Sequence, residues 1–101
     1  MLTGKQRAQL RALANGVETI VHVGKGGISD TLIKQTDDAL KARELVKGKV
    51  QENSELTAKE AGERLAMECS AETVQIIGSK FVLYRENKNI EKDKRIRLRK
   101  N

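Results

Sequence analysis

The glycine-rich segment Gly24–Gly27 (Gly-Lys-Gly-Gly) has residue types and a spacing that suit the binding of an anionic group. Glycine adopts backbone conformations that a side chain forbids, and it lets another molecule approach the backbone closely. A helical pattern begins directly afterwards, at Ser29. Because a helix N-terminus offers free N–H groups and the positive end of its dipole, and Lys25 adds a full positive charge, the segment suits a phosphate.

Two common nucleotide-binding motifs do not fit this segment. A Walker loop requires Gly-Lys followed directly by Ser or Thr, and that run is absent. A dinucleotide fingerprint fails because Ser29 stands where its last glycine belongs, and no second half exists to complete the site. The sequence therefore favours contact with a phosphate backbone over binding of a small nucleotide.

The residues that could support catalysis or bind a metal are isolated. His22 is the only histidine and Cys69 the only cysteine, so no set of metal ligands forms between them. We expect His22 to pack beside the glycine loop, Cys69 to be an inert buried thiol, and Ser29 to cap a helix because it lacks a base partner. These patterns predict a protein that is not an enzyme and needs no metal or cofactor.

Composition limits the chain to one domain and points to an anionic partner. It has 101 residues, of which 34% are charged, with a net charge of +6 and a pI near 9.7. Such a balance is typical of proteins that bind nucleic acid or an acidic surface. No secretory signal pattern is visible in the printed sequence, and no apolar run approaches the roughly 18 residues of a membrane span. We therefore expect a cytoplasmic protein that avoids membranes.

The positive charge is concentrated at the C-terminus. Residues 86–101 carry seven basic and three acidic residues, a net +4, which leaves +2 for residues 1–85. Since this tail has little apolar surface to bury, we expect it to be mobile, and its removal to leave thermal stability nearly unchanged. Its expected role is non-specific attraction to phosphate.

Hydrophobic periodicity and capping signals predict seven elements in the order α-β-α-β-α-β-β. A strand–helix–strand unit favours a parallel pair and the closing hairpin an antiparallel pair, which gives an α+β domain with a four-stranded mixed sheet. The predicted ranges are Thr3–Ala14, Thr19–Val23, Ser29–Arg43, Leu45–Val50, Thr57–Ser70, Thr73–Ile77 and Phe81–Arg85.

Several positions within these elements have more than one interpretation. Lys47 and Lys49 share one face of the second strand, where they could contact RNA or merely keep an exposed sheet from aggregating. Gly48 between them weakens the strand and suggests a bulge or a close packing contact. In the first helix we expect Leu13 on the buried stripe.

Six short motifs, taken in order, resemble the CRM domain, and in particular its stand-alone bacterial members, the YhbY-like proteins. The resemblance covers about residues 2–85. The motifs are Gln6-Arg7, His22-Val23, Gly24-Lys25-Gly26-Gly27, Glu44-Leu45-Val46-Lys47, Gln75-Ile76-Ile77-Gly78 and Val82-Leu83-Tyr84-Arg85.

The resemblance implies a fold like the C-terminal domain of translation initiation factor three, with an RNA-binding G-x-x-G loop. It also implies association with precursors of the large ribosomal subunit. Two departures affect strand geometry more than the loop: Glu18-Thr19 replaces a frequent proline, and Gly48 replaces a usual apolar residue. We therefore expect an RNA-binding domain over residues 1–85 and a basic tail over residues 86–101.

The expected function is RNA binding on a pre-ribosomal large-subunit particle, by a monomer that contacts ribosomal RNA or its precursor. The alternative is a protein-interaction module whose basic surface binds an acidic partner. The residues assigned to RNA are Gly24, Lys25, Gly26, Gly27, Arg7, Arg11 and Lys5.

Overall fold

Three helices and four strands make up the computed structural model, which describes residues 2–90 and 96–98. Each predicted element is present, and its ends differ from the predicted ones by at most two residues. The elements are α1 Gly4–Ala14, β1 Thr19–Val23, α2 Asp30–Arg43, β2 Leu45–Val50, α3 Ala58–Glu68, β3 Glu72–Ile77 and β4 Lys80–Tyr84.

The helices begin where hydroxyl side chains cap them. Thr3 and Thr57 each form a capping box, in which the side chain accepts from the backbone of the third helical residue and that residue's side chain accepts in return. Ser29 accepts a hydrogen bond of 3.1 Å from the backbone N–H of Leu32. The prediction that Ser29 is a helix cap is confirmed.

The sheet is mixed, with the strand order β1-β2-β4-β3. Strand β1 pairs parallel with β2, whereas β4 pairs antiparallel with both β2 and β3. Strands β1, β2 and β3 therefore all end at the same side of the sheet, where Gly78 and Ser79 turn the chain into β4. We call this side, which includes the Gly24–Gly27 loop, the loop end of the sheet.

Helices α2 and α3 pack on one face of the sheet, and α1 packs on the other. Phe81 and Leu83 lie at the centre of the first core, while Leu10 and Ala14 of α1 lie over Val82 and Tyr84 in the second. Both aromatic residues are buried, which leaves neither as a stacking platform.

The prediction that Leu13 lies on the buried stripe of α1 is wrong. Leu13 is 44% exposed because α1 meets the sheet through Leu10 and Ala14, one turn apart, and Leu13 lies on the flank of that contact. It borders a surface depression together with Val17 and Ile96. The sequence pattern identified the apolar side of α1 but overestimated the width of the buried stripe by including Leu13.

Part of the basic tail contacts the domain. Ile96 and Leu98 pack against the core beneath α1, and the side-chain amide of Gln9 donates a 2.6 Å hydrogen bond to the carbonyl of Arg97. The tail therefore buries apolar surface that the sequence analysis did not expect. Mobility of residues 86–101 stays a prediction, and residues 91–95 and 99–101 lie outside the described part of the chain.

Candidate nucleic-acid interface

The glycine loop forms a hydrogen-bonded turn at the exposed end of β1. The N–H of Gly27 donates a 3.0 Å hydrogen bond to the carbonyl of Gly24, and Gly27 has a φ of +68°. That φ lies in the left-handed region, which side chains other than glycine adopt at a cost. Gly27 is therefore required by the turn itself.

The tip of the loop, at Lys25 and Gly26, is open to a ligand. Both residues are exposed, and within the described chain neither backbone N–H has a hydrogen-bond partner. A Cβ added to Gly26 would meet no atom within 4 Å. Two unpaired N–H groups beside an unpaired lysine make a site where a phosphate oxygen can be bound.

The segment between β2 and α3 lies alongside the loop. A Cβ on Gly24 would lie 3.5 Å from Oε1 of Gln51, and one on Gly27 would lie 3.9 Å from Cδ1 of Leu56. This segment also lines a surface depression with the hairpin turn at Ser79. The loop therefore belongs to a larger surface at the loop end, built from three connections of the chain.

Helices α2 and α3 both begin at the loop end, and different side chains cap the free backbone N–H groups of their first turns. At α3, hydrogen bonds from the backbone and the side chain of Thr57 hold the pKa of Glu60 below its ordinary value, so an ionised side chain occupies that terminus. At α2 the cap is the neutral hydroxyl of Ser29, although Asp30 adds an acid in the first turn. Both first turns thus carry an acid, and the α2 terminus is the one that directly follows the glycine loop.

The first predicted arginine has a structural partner. Arg7 is half-buried, and its Nη1 donates a hydrogen bond to the carbonyl of Thr73, at the start of β3. Leu2 also contacts this strand, since its N–H donates to Oε1 of Glu72 at 3.2 Å. The start of α1 therefore lies against the far edge strand, at the end of the sheet opposite the loop.

The structure does not bring Arg7 beside the glycine loop. The loop follows edge strand β1 and Arg7 contacts edge strand β3, so the two lie at diagonally opposite corners of the sheet. Lys5 is exposed on the outer side of α1, and Arg11 is half-buried one turn after Arg7. RNA contact by these three side chains stays a prediction.

Other basic residues, to which sequence reasoning gave less weight, lie at the loop end. His22 is exposed, not packed beside the loop as predicted, because it faces the side of the sheet that α1 covers only in part. Lys49 and Lys80 are exposed on neighbouring strands. No sequence signal identified Lys80, because its position beside Lys49 depends on the register of β2 with β4.

Cys69 is a buried thiol without the features of a reactive nucleophile. Burial raises the pKa of the Cys69 thiol, and the nearby Asp37 carboxylate raises it further. Its Sγ donates to the carbonyl of Ile33 at 3.6 Å. Within residues 2–90 and 96–98, no three His, Cys, Asp or Glu side chains form a metal site. None of the helices in these residues has the length and the apolar character that a membrane span requires.

On the outer face of α2, Lys34 and Lys41 form ion pairs with aspartates of the same helix. Lys34 lies 3.1 Å from Asp38 and Lys41 lies 3.2 Å from Asp37, each pair one turn apart. These lysines therefore belong to a charge-balanced helix surface. This face is therefore a weaker candidate for RNA than the loop end.

Most of the chain matches the model of a known domain family. Residues 2–85 match the model of the CRS1 / YhbY (CRM) domain. A Bacillus subtilis protein named "Probable RNA-binding protein YqeI" is 46% identical over 88 residues, covering 87% of this chain and 92% of that protein. "Probable RNA-binding protein MJ0652" of Methanocaldococcus jannaschii is 41% identical over 93 residues, covering 90% of this chain and 69% of that protein.

A solved structure has the same fold. The solution structure of SAV1595 from Staphylococcus aureus, described as a candidate RNA-binding protein, aligns with a TM-score of 0.71. It is 43% identical, and the alignment covers 98% of this chain and 100% of that one. The architecture of three helices on a four-stranded mixed sheet is therefore shared with a protein whose structure has been determined.

Proposed function

This chain belongs to the CRS1 / YhbY (CRM) domain family, and on that premise we propose that it binds RNA through the Gly24–Gly27 loop. The observation that carries the proposal is the pair of exposed backbone N–H groups at Lys25 and Gly26, which, like the Lys25 side chain, have no partner among residues 2–90 and 96–98. The names of the relatives, which describe RNA-binding proteins and not enzymes, support it.

The proposed mechanism is electrostatic and does not involve catalysis. Gly26 leaves room for a phosphate to reach the two N–H groups, and Lys25 neutralises one charge on the RNA backbone. The positive charge of the tail adds attraction that does not depend on sequence. Because aromatic side chains are buried, base stacking contributes little to this binding.

The proposed RNA is that of a large-subunit precursor particle, in the cytoplasm. This assignment rests on the family resemblance. Sedimentation of a cell extract tests it: the protein should travel with large-subunit precursors and should leave those fractions after nuclease treatment. Association that survives nuclease would instead favour the alternative, an interaction module that binds an acidic protein.

Loop variants test the phosphate site directly. Affinities for large-subunit RNA fragments and for an unrelated RNA should be measured at several salt concentrations. Lys25→Ala should weaken binding by about 1 kcal/mol and lower the slope of log affinity against log salt by about 0.7 to 0.9, as expected for one phosphate contact. Gly26→Leu should weaken binding without unfolding the protein, since no atom of the described residues lies within 4 Å of a Cβ at that position.

A charge-matched control separates the loop from general attraction. Arg64 is exposed on α3, on the other face of the sheet from α1 and without a described ion pair. Arg64→Ala removes the same charge as Lys25→Ala. If the two variants lose the same affinity, or if folded Gly26→Leu binds normally, the loop is only a turn.

A further inference from the structure

We propose that a row of basic side chains across the sheet, His22, Lys49 and Lys80, is a second RNA-contact surface next to the glycine loop. We call these three residues the basic row. The inference rests on the proposed function and extends it, because it adds a phosphate path along the open sheet face. None of the three is in the loop, and none is an N-terminal arginine or lysine of α1.

The register of the sheet brings these residues together. Lys49 of β2 is the partner of His22 in parallel β1 and of Lys80 in antiparallel β4. Neighbouring strands lie roughly 4.8 Å apart, and directly paired residues point to the same face. The three side chains therefore stand side by side on adjacent strands, along a line that crosses the sheet.

This part of the sheet face is uncovered. The Nζ of Lys47 donates a 3.1 Å hydrogen bond to the carbonyl of Ala14, and Val82, the partner of Lys47 on β4, is buried against Leu10 and Ala14 of α1. Lys49 follows two residues later on the same face and is exposed, as are His22 and Lys80. Among the described residues, α1 therefore covers the row of Lys47 and Val82 and leaves the next row toward the loop end, the basic row, exposed.

The two lysines of the basic row have no direct ion-pair partner in the part of the chain that the structure describes. Neither Lys49 nor Lys80 forms an ion pair or a side-chain hydrogen bond there. Two like charges directly opposite each other on a sheet destabilise it. A polyanion lying across the row would remove that repulsion, so the arrangement costs stability in the free protein and favours a phosphate chain when bound.

The composition of the surface favours RNA over an acidic protein. Protein interfaces depend on a buried apolar centre, and the row has apolar surface only at its end, where Ile77 pairs with Lys80 and is 61% exposed. Interfaces with nucleic acid are far more polar and more positively charged. The row also lies near the loop, since His22 is three residues before Lys25, whose N–H group has no partner among the described residues. One phosphate chain can therefore contact both.

The test compares Lys49→Gln, Lys80→Gln and the double variant with Arg64→Gln as the control. Each single change should weaken RNA binding about three- to fivefold and lower the salt slope by about 0.7 to 0.9, and the double variant should lose roughly the product of the two factors. Arg64→Gln should lose less than twofold, because it lies on the other layer of the fold.

Thermal stability gives the second readout. Since the row is a site of repulsion, the two Lys→Gln variants should melt at the same temperature as the parent or above it, while they bind RNA less well. If both lysines are merely solvated residues, the RNA affinity of the Lys→Gln variants will match that of Arg64→Gln. The inference then fails, while RNA binding by the parent protein stands.

If the parent binds no RNA in the same assay, the proposed function fails. Equally strong competition by poly-glutamate would overturn the assignment of the row to RNA.

Discussion

Gly48 and Phe81 are cross-strand partners packed so closely that a methyl group on Gly48 would overlap the aromatic ring. A Cβ built there would lie 2.8 Å from Cε2 of Phe81 and nearer still to Cζ and Cε1. On the other side, Gly62 of α3 leaves only 3.0 Å between its own added Cβ and that of Phe81. The ring is held between two glycines, which explains why a residue that weakens strands stands in the middle of β2.

Gly48→Ala should therefore destabilise the protein by about 2 to 3 kcal/mol, although alanine is the better strand residue, because overpacking forces the ring or the strands to move. Chemical denaturation measures the loss. In a Phe81→Leu background the same substitution should cost much less, since the overlapping ring atoms are gone. Equal costs in both backgrounds would contradict the overlap.

In the loop, Gly27→Ala should cost about 1 kcal/mol of stability, because alanine is strained at a φ of +68°. Gly26→Ala is the matched control and should cost nothing measurable, since no atom lies within 4 Å of its added Cβ. Thermal denaturation of the two variants measures the difference. Equal stability of the pair would show that the turn relaxes freely.

Truncation after Glu86 should lower stability, which reverses the expectation from sequence. Glu44 is buried, with a φ of +64°, and its carboxylate accepts hydrogen bonds from the backbone N–H groups of Asn87 at 2.7 Å and Ile96 at 2.8 Å. Losing both donors and the apolar contacts of Ile96 should cost about 2 kcal/mol, or roughly 8 to 16 °C in Tm.

Glu44→Gln provides the cross-check on the tail. It should destabilise the full chain, because an amide has one acceptor oxygen and not two, and it should cost clearly less in the truncated chain. A truncated protein that melts like the parent would show that residues 87–101 contribute no stability, as the sequence analysis expected.

Asp37→Asn should lower stability at pH 7 by about 1 kcal/mol, a value kept small because the carboxylate is 33% exposed and solvent screens it. The Arg85 guanidinium, 2.7 Å from Oδ1, holds the pKa of Asp37 below its ordinary value, and Lys41 adds to the effect. A lowered folded-state pKa gives stability that is present above about pH 4 and is lost as the pH falls further.

The difference between Asp37→Asn and the parent should therefore shrink as unfolding is measured from pH 7 down to about pH 2. Asp38→Asn is the control, because its pair with Lys34 is exposed on both sides and contributes little. A difference that does not change with pH would show that the carboxylate charge is not what Asp37 contributes.

Cys69 should react with a thiol reagent only at the rate at which the protein opens, because the thiol is buried and its pKa is raised. Moving the cysteine to an exposed site, in Cys69→Ser/Met67→Cys, should give fast modification, since Met67 is 69% exposed. Rapid labelling of native Cys69 would contradict its burial.

The sequence by itself determined the elements of the fold and the loop. Helix caps at Thr3, Ser29 and Thr57 are local signals, and so is the succession of helices and strands along the chain, since each depends on residues within a few positions of one another. The mixed sheet followed from connection rules that need no knowledge of side-chain packing. The glycine loop was visible because its conformational requirement is local as well.

Only the tertiary structure decided which distant residues are neighbours. It separated Arg7 from the loop, placed Lys80 beside Lys49, and brought Asn87 and Ile96 to Glu44. The physical reason is that register and layer packing set these contacts, and a shift of one residue in pairing would turn Lys80 to the opposite face. A pattern read along the chain identifies a basic residue, whereas the pairing of strands decides whether basic residues form one surface.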